Sequence, residues 1–340
     1  MDAIETRHLT KSFGRTTAVD DVSFSVKSGE IFGFLGPNGA GKSTTMMILT
    51  TLLKPTSGEA FVGGADVSRE PKSVRQKIGY VQQDIAVDEY MTGRENLQLH
   101  ARLSHMPGRM VESRIDEMLG LVELDQKQHE QVVGYSGGMR KRLDIAGGLL
   151  HMPDVLFLDE PTVGLDIQTR RKIWDYIRRI HSEYGVTVFL TTHYMEEADS
   201  LCDRVGIIDG GRIVAIDSPA RMKEELGSEM ISIEVPRADS DRMLQGLRGM
   251  AGMLSDIRCD YDSGAITMVS SNGTGAVPKI FGAASGCGVA INAISVTRPT
   301  LDDVFLHHTG HEIRDEEDSG FSRGLELARK KRRRGGSGAS

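Results

Sequence analysis

The chain has 340 residues, of which 39% are apolar and 26% charged, as in an ordinary globular protein. Its net charge is −7, and removing the six positive charges of residues 329–334 from that total leaves −13. A protein with this net negative charge is not attracted to the negatively charged phosphate backbone of a nucleic acid, so we expect no nucleic-acid partner. The length predicts two domains.

Other broad classes are disfavoured by features that the chain lacks. Its three cysteines are widely spaced, which predicts neither a disulfide framework nor a zinc site and favours reduced thiols in the cytoplasm. A signal peptide begins with basic residues that are followed by an apolar run. Met1–Glu5 does not begin such a pattern, so we expect no signal peptide. Since no apolar run approaches the roughly 20 residues that cross a bilayer, any membrane crossing is expected from a partner.

The first predicted elements lead into a glycine-rich loop. Short strands are predicted in residues 3–27 around a turn at 13–15, and the apolar run Ile31–Leu35 predicts a strand covered on both faces. The segment Gly36–Ser43 follows at once, and a helix is predicted from Ser43 to Leu53. This order of strand, loop and helix is the context that a phosphate-binding loop requires.

Each part of that loop has a chemical reason. Glycines at 36, 39 and 41 let successive backbone N–H groups converge on a phosphate, and the helix adds its N-terminal N–H groups. Lys42 is predicted to hold the β and γ phosphates, and Ser43 to ligate Mg²⁺. A flexible turn with a surface lysine is the alternative, which the flanking strand and helix disfavour.

Residues 89–150 are predicted to be mainly helical, because apolar residues recur at helical spacing between 115 and 122. Within this stretch, Ser136-Gly137-Gly138 begins a predicted helix, Met139–Leu150. A hydroxyl and free N–H groups at a helix N-terminus suit an anion. An ordinary serine N-cap is the alternative and stays open.

Strands are predicted again at 155–158, 186–190 and 205–208, with helices between them, which predicts an α/β core. Asp159 ends the first of these strands and is placed to hold Mg²⁺ through water. Glu160, the next residue, is a candidate to orient or deprotonate an attacking water.

Three more residues are candidates on weaker grounds. His193 follows the second strand and is a possible hydrogen-bond donor to a transferred phosphoryl group. Gln83 is a neutral candidate for contacting Mg²⁺ or water, and Phe13 for stacking on adenine. Taken singly, each also fits a structural role.

The last third of the chain has a different pattern. Residues 209–211 predict a tight hairpin, and the composition changes near Gly227. Between 230 and 296 the predicted order is βαββαβ, the ferredoxin-like pattern, with the last strand at 289–296. Thr300 is predicted to cap a further helix, and residues 314–340 are predicted to be disordered.

Together these segments resemble the ATP-binding subunits of ABC transporters over about residues 4–225. The resemblance is carried by motifs that stand in the family's order. They are the loop Gly36-Pro37-Asn38-Gly39-Ala40-Gly41-Lys42-Ser43 with Thr44, the Gln83 loop, Tyr135–Met139, the strand before Asp159 and Glu160, the turn Val163–Asp166, and His193.

The resemblance implies a fold and its division. The fold class is α/β, a P-loop NTPase cassette with an α/β core, an antiparallel β subdomain and a helical subdomain at about 89–150. The cassette would span residues 1–227, a small α+β domain 228–310, and a charged tail 311–340.

It also implies ATP and Mg²⁺ as cofactors, and a dimer that sandwiches two ATP molecules. Each γ-phosphate would lie between the phosphate loop of one copy and Ser136-Gly137-Gly138 of the other, with Thr44 and Asp166 among the nucleotide-binding residues. Glu160, His193 and Gln83 would be catalytic, and the metal ligands would be Ser43, Gln83 and Asp159.

A narrower resemblance, in residues 87–97, 135–144 and 300–306, is to the daunorubicin-resistance type. These are ATPase subunits of drug or lipid exporters, and the resemblance implies a separate membrane permease and a place on the cytoplasmic face of the membrane. Tyr135 and Met139 stand where the family usually has Leu and Gln. Because Ser136 and both glycines are kept, we expect phosphate contact to survive.

Two other functions stay open at this point. A soluble, non-transport ABC ATPase is disfavoured because no heptad run separates the phosphate loop from Ser136. A regulatory nucleotide sensor with little turnover would be distinguished by a phosphate-release assay.

The basic segment Arg329–Arg334 predicts weak contact with anionic lipid, at about 1 kcal/mol for each basic residue. The acidic run Asp315–Asp318 opposes it, and a solvated tail is the alternative. Deleting residues 329–340 is expected to reduce flotation with anionic liposomes, whereas deleting only 335–340 is the control that keeps every basic residue. Equal flotation of the full-length and shortened chains contradicts the lipid contact.

Overall fold

The computed structural model describes residues 2–227, 229–250, 252–261 and 263–311. The predicted tail, apart from His311, and its basic segment therefore lie outside the described residues. The strands are β1 (Asp2–Phe13), β2 (Thr16–Lys27), β3 (Ile31–Leu35), β4 (Ser57–Val62), β5 (Ala65–Asp66), β6 (Ile78–Val81), β7 (Val155–Asp159), β8 (Thr187–Thr192), β9 (Arg204–Asp209), β10 (Arg212–Asp217), β11 (Glu229–Glu234), β12 (Leu254–Asp260), β13 (Ala265–Ser270) and β14 (Ala293–Thr297). The helices are α1 (Lys42–Leu49), α2 (Pro71–Lys77), α3 (Gly93–Leu103), α4 (Gly108–Leu121), α5 (Gly137–Leu149), α6 (Ile167–Tyr184), α7 (Met195–Leu201), α8 (Pro219–Leu226), α9 (Ser240–Arg248), α10 (Gly273–Cys287) and α11 (Leu301–Thr309).

The central sheet has the strand order β10-β9-β3-β8-β7-β6. Its strands run parallel except β10, which forms the predicted hairpin with β9 through Gly210 and Gly211. Every residue of β3, β7 and β8 is buried, which is why these strands read as nearly continuous apolar runs. The predicted α/β core is therefore confirmed.

A second, antiparallel sheet, β2-β1-β4-β5, packs on one face of the central sheet. Phe24 on β2 stacks on Phe32, Phe34 and Phe189 of the central sheet, with ring centroids 5.5–5.9 Å apart. This aromatic contact buries the alternating apolar positions of β2. The sequence patterns identified the β1–β2 hairpin, but not β4 and β5.

Helices cover the opposite face of the central sheet. The elements between residues 89 and 150 are helical, as the spacing predicts, and α3, α4 and α5 pack against one another. Ile115, Met118 and Leu119 are buried in one apolar core that also includes residues of β7 and α6. We refer to α3, α4 and α5 as the helical lobe.

A third sheet, β12-β13-β11-β14, has its own apolar core with α9 and α10. Its elements follow the predicted βαββαβ order. The predicted start of the last strand at Val289 is wrong, because β14 begins at Ala293. Gly288 is left-handed (φ 68°), and Val289 N donates to Ala284 O at 2.9 Å, so Val289 belongs to the cap of α10.

Helix α11 follows the third sheet in the chain but packs on the core of the first 227 residues, against α7, α8 and β10. Thr300 and Asp303 form a capping box at its start, as the sequence suggests. Arg258 of β12 donates to Leu306 O at 2.7 Å, so α11 also contacts the third sheet. The division at residue 228 stays a prediction. Among the described residues, no helix is both long and apolar enough to cross a bilayer.

Phe305 tests this packing, because its side chain is 1% exposed within the core of the first 227 residues. Phe305→Ala is expected to lower the free energy of unfolding by about 3–5 kcal/mol, since it leaves a cavity. Phe281→Ala is the matched control, because Phe281 is 46% exposed. Urea unfolding measures both variants, and an equal loss in the two contradicts the burial of Phe305.

Candidate phosphate-binding and hydrolysis site

Three strand ends meet at one edge of the central sheet. The parallel register pairs Leu35 at the end of β3 with Thr192 of β8, and Asp159 at the end of β7 with Thr191 of β8. The residues that follow these ends, the glycine-rich loop, Glu160 and His193, are therefore brought together. The glycine-rich loop lies more than a hundred positions before Glu160 and His193 in the sequence, whereas the sheet makes all three neighbours.

The loop after β3 requires glycine where the backbone crowds it. A Cβ at Gly41, whose φ is 105°, would lie 2.3 Å from Ala18 O, and one at Gly36 would lie 2.2 Å from Ile208 O. Helix α1 then begins at Lys42, but it ends at Leu49, not at the predicted Leu53. Thr51 has a positive φ of 64°, which stops the helix.

Lys42 reaches back over this loop. Its side chain is 4% exposed, and Nζ donates to Gly36 O at 2.8 Å and to Pro37 O at 3.1 Å. Burial lowers the pKa of Lys42, and the Glu160 carboxylate opposes that effect. The lysine is thus a buried cation beside backbone N–H groups, an arrangement that suits a polyanion.

Glu160 bridges the lysine and the histidine. Its Oε1 lies 3.2 Å from Lys42 Nζ, and its Oε2 lies 3.1 Å from His193 Nδ1. Burial alone would raise the pKa of Glu160, but the His193 hydrogen bond and the Lys42 charge outweigh it, so the pKa is lowered. An ionised carboxylate at this point is able to accept a proton or a hydrogen bond from water.

Asp159 and Ser43 provide an oxygen-rich pair beside it. Ser43 Oγ donates to Asp159 Oδ1 at 3.3 Å, and the Thr191 hydroxyl donates to the same oxygen. Burial raises the pKa of Asp159, while the Thr191 hydrogen bond opposes it. Hydroxyl and carboxylate oxygens are the ligands that Mg²⁺ prefers, so the donor set fits that ion.

Lys42, Ser43, Glu160 and His193 line a cleft of about 480 Å³, and Asp159 lies behind Ser43. Its lining residues are Ala18, Asn38, Gly39, Gly41, Lys42, Ser43, Thr44, Gln83, Glu160, Val163, His193 and Tyr194. Phe13, the predicted adenine contact, does not line it. Phe13 lies at the end of β1, is 50% exposed, and has Lys11 Nζ 5.1 Å from its ring centroid.

Ser136-Gly137-Gly138 lies outside the cleft, at the start of α5. Ser136 is exposed and its Oγ accepts from Met139 N at 3.3 Å, so the N-cap is formed. Gly138 packs on Thr169, where a Cβ would lie 2.5 Å from Cγ2. Asp166 caps α6 through Thr169 N at 3.0 Å, and it therefore lies beside this segment.

Some polar residues near the site were missed from sequence: Lys141, Asp144, Thr191 and Glu197. Glu197 is fully buried, and its Oε1 accepts from Thr162 Oγ1 at 2.8 Å and from Trp174 Nε1 at 2.9 Å. It thereby ties the segment after Glu160 to α6 and α7. In sequence these residues are ordinary helix and strand positions, and no spacing signal distinguishes them.

Fold and site define the class of protein: a P-loop ATPase whose phosphate loop, acidic strand end and histidine lie at one edge of a parallel sheet. The ABC transporter family matches residues 19–163. The chain is 39% identical over 316 residues to the daunorubicin resistance ATP-binding protein DrrA2 of Streptomyces coeruleorubidus, covering 93% of this chain and 97% of the relative. It is 34% identical to the linearmycin resistance ATP-binding protein LnrL of Bacillus subtilis, covering 92% and 100%. The chain belongs to the ABC transporter family, as an ATP-binding subunit that hydrolyses ATP.

Solved structures support the same assignment. CbiO1 of Clostridium perfringens, part of the ABC transporter complex cbiONQ, matches with a TM-score of 0.62 and 28% identity, covering 66% of this chain and 91% of that one. The cassette MJ0796, in a dimeric post-hydrolysis state with ADP and Pi, matches with a TM-score of 0.57 and 28% identity, covering 63% and 98%. The predicted fold class and family are confirmed.

The buried Asp144 predicts a pH effect on stability. Burial raises the pKa of Asp144 to about 6, against the opposing effect of Lys141. Because this pKa is higher than in the unfolded chain, the stabilisation is complete below about pH 4 and is lost as pH rises through 6. Asp144→Asn removes this dependence, so its stability relative to wild type is expected to rise by roughly 2 kcal/mol from pH 4 to pH 7.

Urea unfolding across that range is the measurement. Asp125→Asn is the control, because Asp125 is exposed on the chain between α4 and α5. A constant difference between Asp144→Asn and wild type contradicts the buried, proton-binding carboxyl.

Proposed function

We propose that two copies of this chain enclose two ATP molecules between them, and that ATP hydrolysis drives a separate membrane permease. One observation carries the proposal: Ser136-Gly137-Gly138 is built like an anion site but lies outside the cleft of its own copy. A second copy, turned head to tail, supplies a cleft for it. The dimeric state of the MJ0796 cassette supports this arrangement.

In this arrangement, each residue of the cleft has its own role in binding or hydrolysing ATP. Lys42 and the loop N–H groups hold the terminal phosphates, and the Ser136 segment of the other copy contacts the γ-phosphate from the opposite side. Glu160 orients the attacking water and accepts its proton, and His193 holds the Glu160 carboxylate in place and donates to the transferred group. Gln83 contacts the water or the metal from the loop after β6.

Ser43, Asp159 and Gln83 would hold Mg²⁺, which supplies positive charge to the phosphate oxygens. The fit rests on the Ser43–Asp159 contact and on the oxygen character of all three side chains. Asp159 is 6% exposed, so it offers its charge in a region where water screens it little.

The transported compound is proposed from the relatives. The relatives are named for resistance to daunorubicin and linearmycin. We infer that this chain powers export of a drug, lipid or other hydrophobic compound from the cytoplasmic face of the membrane. Co-purification of the full chain with a multi-span membrane protein tests the partnership.

Glu160→Gln tests the enclosed dimer and the role of the carboxylate together. The amide cannot accept the proton, so hydrolysis is expected to fall by at least about a hundredfold while ATP remains bound. An ATP-dependent shift from monomer to dimer is expected in size-exclusion chromatography with light scattering, because ATP binds the closed form better than the open one.

Lys42→Ala in the Glu160→Gln background is the control, since it removes the phosphate contact and is expected to abolish the shift. Hydrolysis by Glu160→Gln at the wild-type rate contradicts the assigned base. A monomer at saturating ATP contradicts the dimer.

A further inference from the structure

A buried lysine joins α5 to the loop that carries Gln83. Lys141 lies five residues after Ser136 and is 3% exposed. Its Nζ donates to Gln82 O at 2.7 Å and to Gln83 O at 3.3 Å. The ammonium group thus binds the backbone of the loop 82–92, which forms neither helix nor strand.

Asp144, one turn further along α5, holds the same loop at a second place. Its carboxyl is hydrogen-bonded by the N–H of Ala86, and its Oδ2 lies 4.0 Å from Lys141 Nζ. Asp144 is 4% exposed, and Oδ2 has no hydrogen-bond partner among the described residues. Arg140 adds an ion pair to Glu89. We call Arg140, Lys141 and Asp144 the loop clamp.

Burying a charge is unfavourable unless the contacts that it makes offset the loss of water. A lysine in this position is therefore hard to explain by packing alone, because an apolar side chain of the same length would fill the space without that cost. What the lysine adds is a hydrogen-bond donor for the carbonyl groups of Gln82 and Gln83, which have no partners within a helix or strand. The main role of the loop clamp is therefore to hold the loop against α5, and not to stabilise the apolar core.

This placement has a consequence for the two-copy site. Gln83 lines the cleft of its own copy, whereas Ser136 at the start of α5 is exposed for the other copy. Lys141 is bonded to the Gln83 backbone and belongs to the same helix as the Ser136 segment. Through Lys141, the loop that carries Gln83 is therefore connected to the helix that bears the exposed Ser136 segment.

We propose that Lys141 is a positioning residue, which ties the Gln83 loop to the helix that begins at Ser136 so that this loop and the exposed segment of one copy move together. The inference rests on the proposed dimer. It predicts that loss of the ammonium group weakens ATP-driven pairing of copies, and leaves nucleotide binding by a single copy intact.

Lys141→Met in the full-length Glu160→Gln background tests this, because Met keeps the length of the side chain without its charge. The ATP concentration that gives half-maximal dimer in light scattering is expected to rise roughly tenfold, a typical coupling between two sites. Binding of a fluorescent ADP to the monomer is expected to change by less than about twofold, since the residues of the phosphate loop are untouched.

Two further variants make the test specific. Lys141→Arg keeps a charged donor and is expected to restore dimer formation to within about threefold of the Glu160→Gln parent. Lys127→Met is the matched control, because Lys127 forms an exposed pair with Glu130 just before the segment Tyr135–Met139. It is expected to behave like the parent.

Each outcome separates the hypotheses. If the Glu160→Gln parent itself stays monomeric with ATP, the proposed dimer fails, and the role of Lys141 in pairing copies fails with it. If the parent dimerises and Lys141→Met does so at the same ATP concentration, the clamp is wrong. Equal losses of ADP binding and dimer formation in Lys141→Met, with Lys141→Arg no better, also overturn it. Should Lys141→Met not fold, Lys141→Gln replaces it, with the same two measurements and the same contrary results.

Discussion

The parallel pairing of β3, β7 and β8 is the constraint on which the site depends. Each strand ends in a different kind of group: a glycine-rich loop, a pair of carboxylates, and a histidine. Parallel strands end at the same edge, so one register fixes the separations of all three. The stacked aromatic rings on one face and the helices on the other keep the register from slipping, because both faces are buried.

Sequence patterns predicted most of this frame, for physical reasons. Buried parallel strands are apolar runs, and the glycine loop has a fixed spacing, so β3, β7 and the phosphate loop were recognisable. Strands β4 and β5 were not, because β4 begins with the polar residues Ser57, Gly58 and Glu59 and β5 has only two residues. Val289 fits a strand pattern, yet it is buried because the cap of α10 folds back over the apolar core. Lys141 and Asp144 could not be found at all, since an i, i+3 pair of opposite charges is typical of an exposed helix face.

Two buried polar side chains connect the site to the neighbouring helices. Glu197 joins the turn after Glu160 to α6 through Thr162 and Trp174, whereas Lys141 joins the Gln83 loop to α5. Polar groups so far from water depend strongly on position, because a small displacement leaves a buried donor or acceptor without a partner. Both contacts therefore hold the segments beside the cleft in the positions that the structure shows.

The unusual residues of the Tyr135–Met139 segment belong to this internal frame, and not to the anion-binding surface. Tyr135 is 4% exposed and its hydroxyl donates to Lys127 O at 2.7 Å, so it holds the chain before α5. The Met139 side chain packs against the core that includes the helical lobe, and its N–H donates to the capping Oγ of Ser136. Ser136 and Gly137 remain exposed between them. Met139, where the family usually has Gln, therefore packs within its own copy and offers no polar side chain. It leaves unchanged the hydroxyl and backbone donors that a phosphate of the second copy would meet.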